Sequence, residues 1–179
     1  MPEADPVVTP AIHQSDSPRQ VLFLCTGNYY RSRFAELLFN ARARATGLPW
    51  IADSRGLALE FGIANVGPIS RHVVEALAAR GIAVDAEPRF PLHLQEDELH
   101  AAHLIIALCE HEHRPLLTER FPAWPDRVMY WHIHDVHVTP VPDALAAIEE
   151  QVQQLLTTLH SGRSIGNRGQ GTGNQAGWL

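Results

Sequence analysis

Cysteine is scarce: the 179 residues include only Cys25 and Cys109. A disulfide-stapled secreted scaffold is thereby excluded, and a reducing compartment, the cytoplasm, is the expected setting. Basic residues are in deficit, with 14 Lys and Arg against 20 Asp and Glu and a net charge of -6. No block of like charge forms a basic stripe, which argues against a nucleic-acid partner. Long apolar runs are also missing. The longest, around Leu104 to Cys109, is far below the ~18 residues a bilayer crossing needs. The first twenty residues, acidic and rich in Pro, lack the positive start and apolar stretch of a secretory signal. A soluble protein with no membrane partner is expected.

What is present is ordinary globular material, 45% hydrophobic and 19% charged, enough for one core and, at roughly 100–200 residues per domain, one domain. Residues 1–19 and 161–179, rich in Pro or in Gly, Asn and Gln, are expected to be disordered tails around a domain over 20–160. Oligomeric state leaves no mark in the sequence.

Val21-Leu22-Phe23-Leu24 is a short apolar run of the kind found in strands buried on both faces. From Arg31 the period changes: Phe34, Leu37, Leu38, Ala41 and Ala45 recur at helical spacing until Gly47-Leu48-Pro49. Trp50 to Ala52 leads into Ser54-Arg55-Gly56 as a second strand and turn. Ser70 is placed to cap a helix carrying Val73, Val74, Leu77 and Ala78 that Gly81 ends. A short helix over Glu96 to His103 precedes the strand Leu104 to Leu108. The next helix should start near His113, because Pro115 suits only a first turn. Val128 to Ile133 is a fourth strand, and Asp143 is placed to cap a last helix faced by Leu145, Ile148, Val152, Leu155 and Leu159. Alternating β and α predicts an α/β fold with a parallel sheet, its ligand site at the carboxyl ends of the strands.

The first strand runs directly into Cys25-Thr26-Gly27-Asn28-Tyr29-Tyr30-Arg31-Ser32 before the helix begins. A loop between a buried strand and a helix turns successive N–H groups inward at the positive end of the helix dipole, which makes a cradle for a dianion. Thr26 to Arg31 supply those amides. Gly27 and Asn28 most readily take the positive φ of a tight reversal. Arg31 can set two parallel N–H groups on phosphate oxygens. Cys25, at the base of the cradle among N–H dipoles and a guanidinium, should carry a thiol pKa below the free value of ~8.5 and act as a nucleophile.

In this loop the chain resembles the low-molecular-weight protein tyrosine phosphatases, whose signature has the form Cys-x-Gly-Asn-x-Cys-Arg-Ser-Pro. Cys25, Gly27, Asn28, Arg31 and Ser32 match, and Ala35-Glu36 continue the match. The likeness runs on through Ser54-Arg55-Gly56, Val66-Gly67-Pro68, Gly81-Ile82 and Leu104 to Leu108, covering about Val21 to Leu159. Larger tyrosine phosphatases usually carry His before the nucleophile, whereas Leu24 stands here. The resemblance implies a four-stranded parallel sheet flanked by helices. It also implies hydrolysis of phosphomonoesters, phosphotyrosine in proteins above all, through a phosphocysteine intermediate, with no cofactor or metal.

The family's general acid is an Asp in an Asp-Pro pair after the last strand, and Asp135 fits that place, with Val136 where the family has Pro. The resemblance gives Ser32 a hydrogen bond to the sulfur and makes Asn28 and Ser54 braces of the loop. Tyr30 stands where the family has a second cysteine, which removes a protective disulfide beside Cys25. Arg33 replaces a Pro and adds positive charge near the anion. The family's aromatic pair that walls the phosphotyrosine cleft is replaced by Val136 and His137, so Tyr29, Phe61 and Trp124 are the candidate walls.

Three rival readings stand beside this one. Thioredoxin-coupled arsenate reductases share the fold and loop, and Cys109 sits where they have a first resolving cysteine. The second is absent, so only a reductase drawing on an external thiol would fit. An inactive phosphate-binding module is the second. A metal site is the third, since His132, His134, Asp135 and His137 are spaced like ligands, but no Cys or Glu completes the set and solvated or loop histidines are the expectation.

Overall fold

Val21, Leu22, Phe23 and Leu24 are at most 1% exposed, and their side chains alternate between two cores on opposite faces of one sheet. That is what a continuous apolar run must do in a central parallel strand. The computed structural model describes residues 17–135 and 137–162. The residues before 17 and after 162, which include most of both expected tails, lie outside the described residues. Strand β1 spans Arg19–Cys25, so Arg19 belongs to the sheet and not to the tail. Helix α1 follows over Arg31–Ala45, strand β2 over Trp50–Gly56, and helix α2 over Arg71–Ala78. Helix α3 spans Glu96–Ala101, strand β3 Leu104–Ala107, helix α4 Glu110–Arg120, strand β4 Met129–Tyr130, and helix α5 Val141–His160.

The four strands pair in parallel in the order β2-β1-β3-β4. The connection after β1 runs outward to β2 and that after β3 the opposite way to β4, which opens a crevice at the carboxyl ends of β1 and β3, where ligands of open α/β sheets bind. One core packs Val21, Phe23 and Ile106 against α1, α2 and α5. The other packs Leu22, Leu24 and Ile105 against Leu99, Leu117 and Trp124. Each such fully buried side chain contributes about 1.5–3 kcal/mol.

Several expected boundaries move. On α1, Ala45 is exposed, while Ala35, Phe39 and Ala43 are buried; the Phe39 ring meets Phe23 with centroids 6.1 Å apart. Helix α4 begins at Glu110 and holds Pro115 in its interior. The missing Pro115 N–H costs one ladder bond, and the two acidic residues of the first turn, Glu110 and Glu112, favour the earlier start. Ser70 occupies the N-cap of α2 but offers its carbonyl, to Val73 and Val74, with no side-chain cap. Asp143 is likewise not a cap: α5 starts at Val141 after Pro140, leaving Asp143 as a first-turn acid facing the helix dipole. The fourth strand is two residues long; past it Trp131 donates to the carbonyl of Ala107, the last residue of β3, and Ile133 to that of Leu108 just beyond.

Candidate active site

The loop from Cys25 to Tyr30 joins β1 to α1 at the carboxyl edge of the sheet. Asn28 takes the left-handed step, with φ 48°, and Gly27 does not. Asn28 tolerates that conformation because its side chain is bonded on every side. Its amide donates to Ser32 Oγ at 3.0 Å and to Ser54 Oγ at 2.8 Å. Its carbonyl oxygen accepts from Arg89 at 2.9 Å and from the Leu92 N–H at 3.0 Å. Ser54 passes the network on, donating to Glu36 Oε2 at 2.5 Å. Glu36 also accepts from Arg33 and Arg89, each at 3.0 Å. Asn28 and Ser54 are thus bonded to each other, and Glu36 joins them.

Arg33 is 3% exposed and held by Glu36, so it does not add charge to the anion site as expected; burial pushes its pKa down against the pull of Glu36. Arg89 was missed by sequence reasoning, since nothing in the sequence around it marks it as a partner of the loop. Gly56 lets β2 approach the loop: a Cβ there would fall 3.0 Å from the Thr26 carbonyl oxygen and 3.2 Å from Asn28 Cβ.

Cys25 is 3% exposed at the floor. Its Sγ lies 3.0 Å from Ser32 Oγ and accepts the Asn28 N–H at 3.2 Å. Helix α1 has no side-chain cap and no acidic residue in its first turn, which leaves its positive end to an anion. Over the loop opens a cavity of about 510 Å³ lined by Cys25, Thr26, Gly27, Tyr29, Tyr30 and Arg31, and by Phe61, His72, Asp135 and His137 among others. The expected cradle residues thus share one chamber, except Asn28, whose side chain is turned into the brace.

Arg31 is 2% exposed and spans the floor. It donates to the Ile133 carbonyl at 2.9 Å, to Glu112 Oε2 at 2.7 Å and to Asp135 Oδ2 at 3.1 Å. Three of the guanidinium's five N–H groups are so engaged. Burial opposes its charge, but Cys25, Glu112 and Asp135 together outweigh burial and raise its pKa. Glu112 was not foreseen; it also accepts the Asp135 N–H at 3.2 Å. Tyr30 is 8% exposed, its hydroxyl on the Val141 carbonyl at 3.2 Å, and burial, helped by Asp135, pushes its pKa up to about 12.

Tyr29 and Phe61 line the cavity, Phe61 at 69% exposure. Trp124 does not: it is buried in the core on the α3 side, its ring 4.9 Å from His100, so it is no wall of this cleft. Cys109 follows β3 but is 1% exposed and does not line the cavity. Burial pushes its thiol pKa up. Its Sγ lies 3.5 Å from His134 Nδ1, so a Cys, and with it Glu112, does approach a histidine of the His132 to His137 segment. His132 is exposed and does not share that arrangement. Among the described residues, no helix is long and apolar enough to cross a membrane.

Comparison with known proteins agrees with this geometry. Residues 20–164 match the family described as low molecular weight phosphotyrosine protein phosphatase. A protein-arginine-phosphatase of Bacillus subtilis is 33% identical over 108 residues, 60% of this chain and 67% of the relative. A low molecular weight protein tyrosine phosphatase from T. tengcongensis superposes with a TM-score of 0.63 at 27% identity, covering 80% of this chain and 99% of that one. An arginine phosphatase mutant with a phosphorylated active-site serine superposes with a TM-score of 0.66 at 25% identity, over 80% and 97% of the two chains.

Proposed function

The chain belongs to the low-molecular-weight protein phosphatase family, and from that premise we propose that it hydrolyses phosphotyrosine in proteins through a phosphocysteine intermediate on Cys25. The observation that carries the reading is the arrangement of Cys25, Arg31 and Asp135 around one cavity, with Arg31 bonded to Asp135 at 3.1 Å. A substrate dianion enters above Cys25 and meets the amides of the loop and the Arg31 guanidinium. It competes with Asp135 for Arg31, which frees the carboxyl to face the leaving-group oxygen.

Cys25 Sγ attacks phosphorus; the S–P bond forms as the P–O bond to the leaving group breaks, and Asp135 delivers its proton to that oxygen. In the second step the Asp135 carboxylate takes a proton from water, the water oxygen bonds to phosphorus, the S–P bond breaks, and inorganic phosphate leaves. Ser32, 3.0 Å from Sγ, is placed to donate to the sulfur as it leaves. The donors exist before the reaction charge develops, which is the source of most of the rate. An aryl ester is favoured because Tyr29 and Phe61 line the approach. We place this activity in the cytoplasm, where Cys25 stays reduced.

A second reading, phosphoarginine, is favoured by the curated relative, a protein-arginine-phosphatase. One experiment separates them: kcat/KM on matched peptides bearing phosphotyrosine or phosphoarginine, wild type beside Cys25→Ser. Faster turnover of the tyrosine peptide, lost in Cys25→Ser, supports the proposal. Faster turnover of the arginine peptide transfers the substrate assignment, and hydrolysis that survives in Cys25→Ser ends the mechanism. Anion binding without turnover would leave a binding module, and Cys25-dependent arsenate turnover a reductase.

A further inference from the structure

Behind Arg31, outside the reaction just described, three side chains from separate elements converge. They are Cys109 at the end of β3, Glu112 in the first turn of α4, and His134 beyond β4. Cys109 Sγ is 3.5 Å from His134 Nδ1, His134 Nδ1 is 3.8 Å from Glu112 Oε1, and all three ligand atoms lie within 4.8 Å of one another. Zinc bonds of about 2.0–2.3 Å in a tetrahedron set ligand atoms roughly 3.3–3.8 Å apart. The two measured edges fall within that span.

A fourth residue points at the same group. His113 is fully buried, and its Nδ1 accepts the Cys109 N–H at 3.0 Å, which leaves the ring proton on Nε2. That Nε2 has no hydrogen-bond partner among the described residues and lies 3.8 Å from Glu112 Oε2. A buried donor facing a ligating carboxylate is the kind of outer support that orients metal ligands.

We propose that Cys109, Glu112 and His134 form a binding site for a zinc-class divalent ion, and that loading it slows the phosphatase. The inhibitory half rests on the function proposed above. On binding, the Cys109 thiol releases its proton to solvent and the sulfur bonds the metal, alongside the neutral His134 imidazole and one Glu112 oxygen, with a fourth position open to water. A thiolate with an imidazole selects zinc over magnesium or calcium. Glu112 carries the effect inward, because its Oε1 accepts the Asp135 N–H and its Oε2 the Arg31 guanidinium. A metal that draws Oε1 away loosens the segment holding Asp135.

Cobalt(II) titrated into the full chain carrying Cys25→Ser tests the site apart from catalysis. The expected result is one ion bound with a thiolate-to-cobalt band in the near ultraviolet. That band is lost on adding Cys109→Ala and is about tenfold or more weaker in affinity on adding His134→Ala. No band in Cys25→Ser, or a band that survives Cys109→Ala, overturns the site. In the second arm zinc inhibits p-nitrophenyl phosphate hydrolysis by wild type at about tenfold lower concentration than it inhibits His134→Ala. Equal inhibition of the two overturns the regulatory half. The cobalt arm reads no turnover, so its failure is distinct from failure of the phosphatase reading.

Discussion

On the β2 flank of the loop, Asn28 and Ser54 are fully buried and Glu36 nearly so. On the β4 flank, Glu112 and Asp135 keep side chains 24% and 39% exposed. On the β2 flank Asn28, Ser54, Glu36, Arg33 and Arg89 form a connected set of bonds around buried atoms. On the β4 flank Arg31 donates to Glu112 and Asp135, and Glu112 accepts the Asp135 N–H, so two half-open carboxylates share one buried guanidinium. Buried networks hold shape, because breaking one strands a desolvated group. A buried guanidinium keeps a charge partner only if a second anion replaces the one it releases, which a substrate dianion would supply. On the proposed mechanism, loop geometry belongs to the first flank and proton transfer with anion exchange to the second.

Four substitutions break or sharpen this division. Arg31→Lys, at the residue that links the cradle to the β4 flank, should lower kcat/KM for p-nitrophenyl phosphate by about 10²–10³ and weaken vanadate inhibition in parallel. Steady-state kinetics with and without vanadate checks both. Asp135→Ala should lower kcat/KM by about 10² or more with phenyl phosphate and far less with p-nitrophenyl phosphate, whose leaving group needs no proton in the first step. A larger loss from Asp143→Ala would reassign the acid.

On the β2 flank Glu36→Gln removes the carboxylate paired with buried Arg33 and leaves Arg89 with Asp53, and should cost about 1–3 kcal/mol of stability by urea unfolding. Its effect on the ratio of phenyl to p-nitrophenyl phosphate turnover should be small. A change in that ratio as large as that of Asp135→Ala would dissolve the distinction between the flanks. The smallest effect is one of pH. Burial, with the nearby Arg31, holds the His113 pKa well below 6.5. Below about pH 6.5 the unfolded chain therefore takes up a proton that the folded state refuses. The contribution is fully present above that pH and is lost as pH falls, at up to about 1.4 kcal/mol per unit. In His113→Asn, whose carbonyl oxygen can still accept the Cys109 N–H, that part of the pH slope should vanish from urea unfolding curves.

The same division decides what was legible. Phe23 and Leu24 announce a central strand because apolar continuity is a local signal. Cys25, Gly27, Asn28, Arg31 and Ser32 announce the cradle because its residues are contiguous. Ser54 and Glu36 were named as matches, but their bond spans 18 positions and became visible only in three dimensions. Glu112 and Arg89 lie 81 and 61 positions from the loop residues they hold, and neither sits in a patterned segment. Trp124 failed as a cleft wall because aromatic character does not say which face of the sheet a residue packs on. Pro115 misled the start of α4 because a missing N–H is tolerated where acidic residues support the first turn. From sequence Cys109 reads as an inert buried thiol or a redox partner of Cys25, and its approach to His134 and Glu112 depends on three elements meeting at one edge of the sheet.

The measurement that bears most directly on the central claim is capture of the intermediate. Asp135→Ala, which slows release of phosphate from sulfur, is mixed with p-nitrophenyl phosphate, quenched in acid and mapped by mass spectrometry. The account predicts phosphate on Cys25, with its signal abolished by Cys25→Ala. Phosphate on another residue, or steady hydrolysis with no protein-bound phosphate, would contradict it.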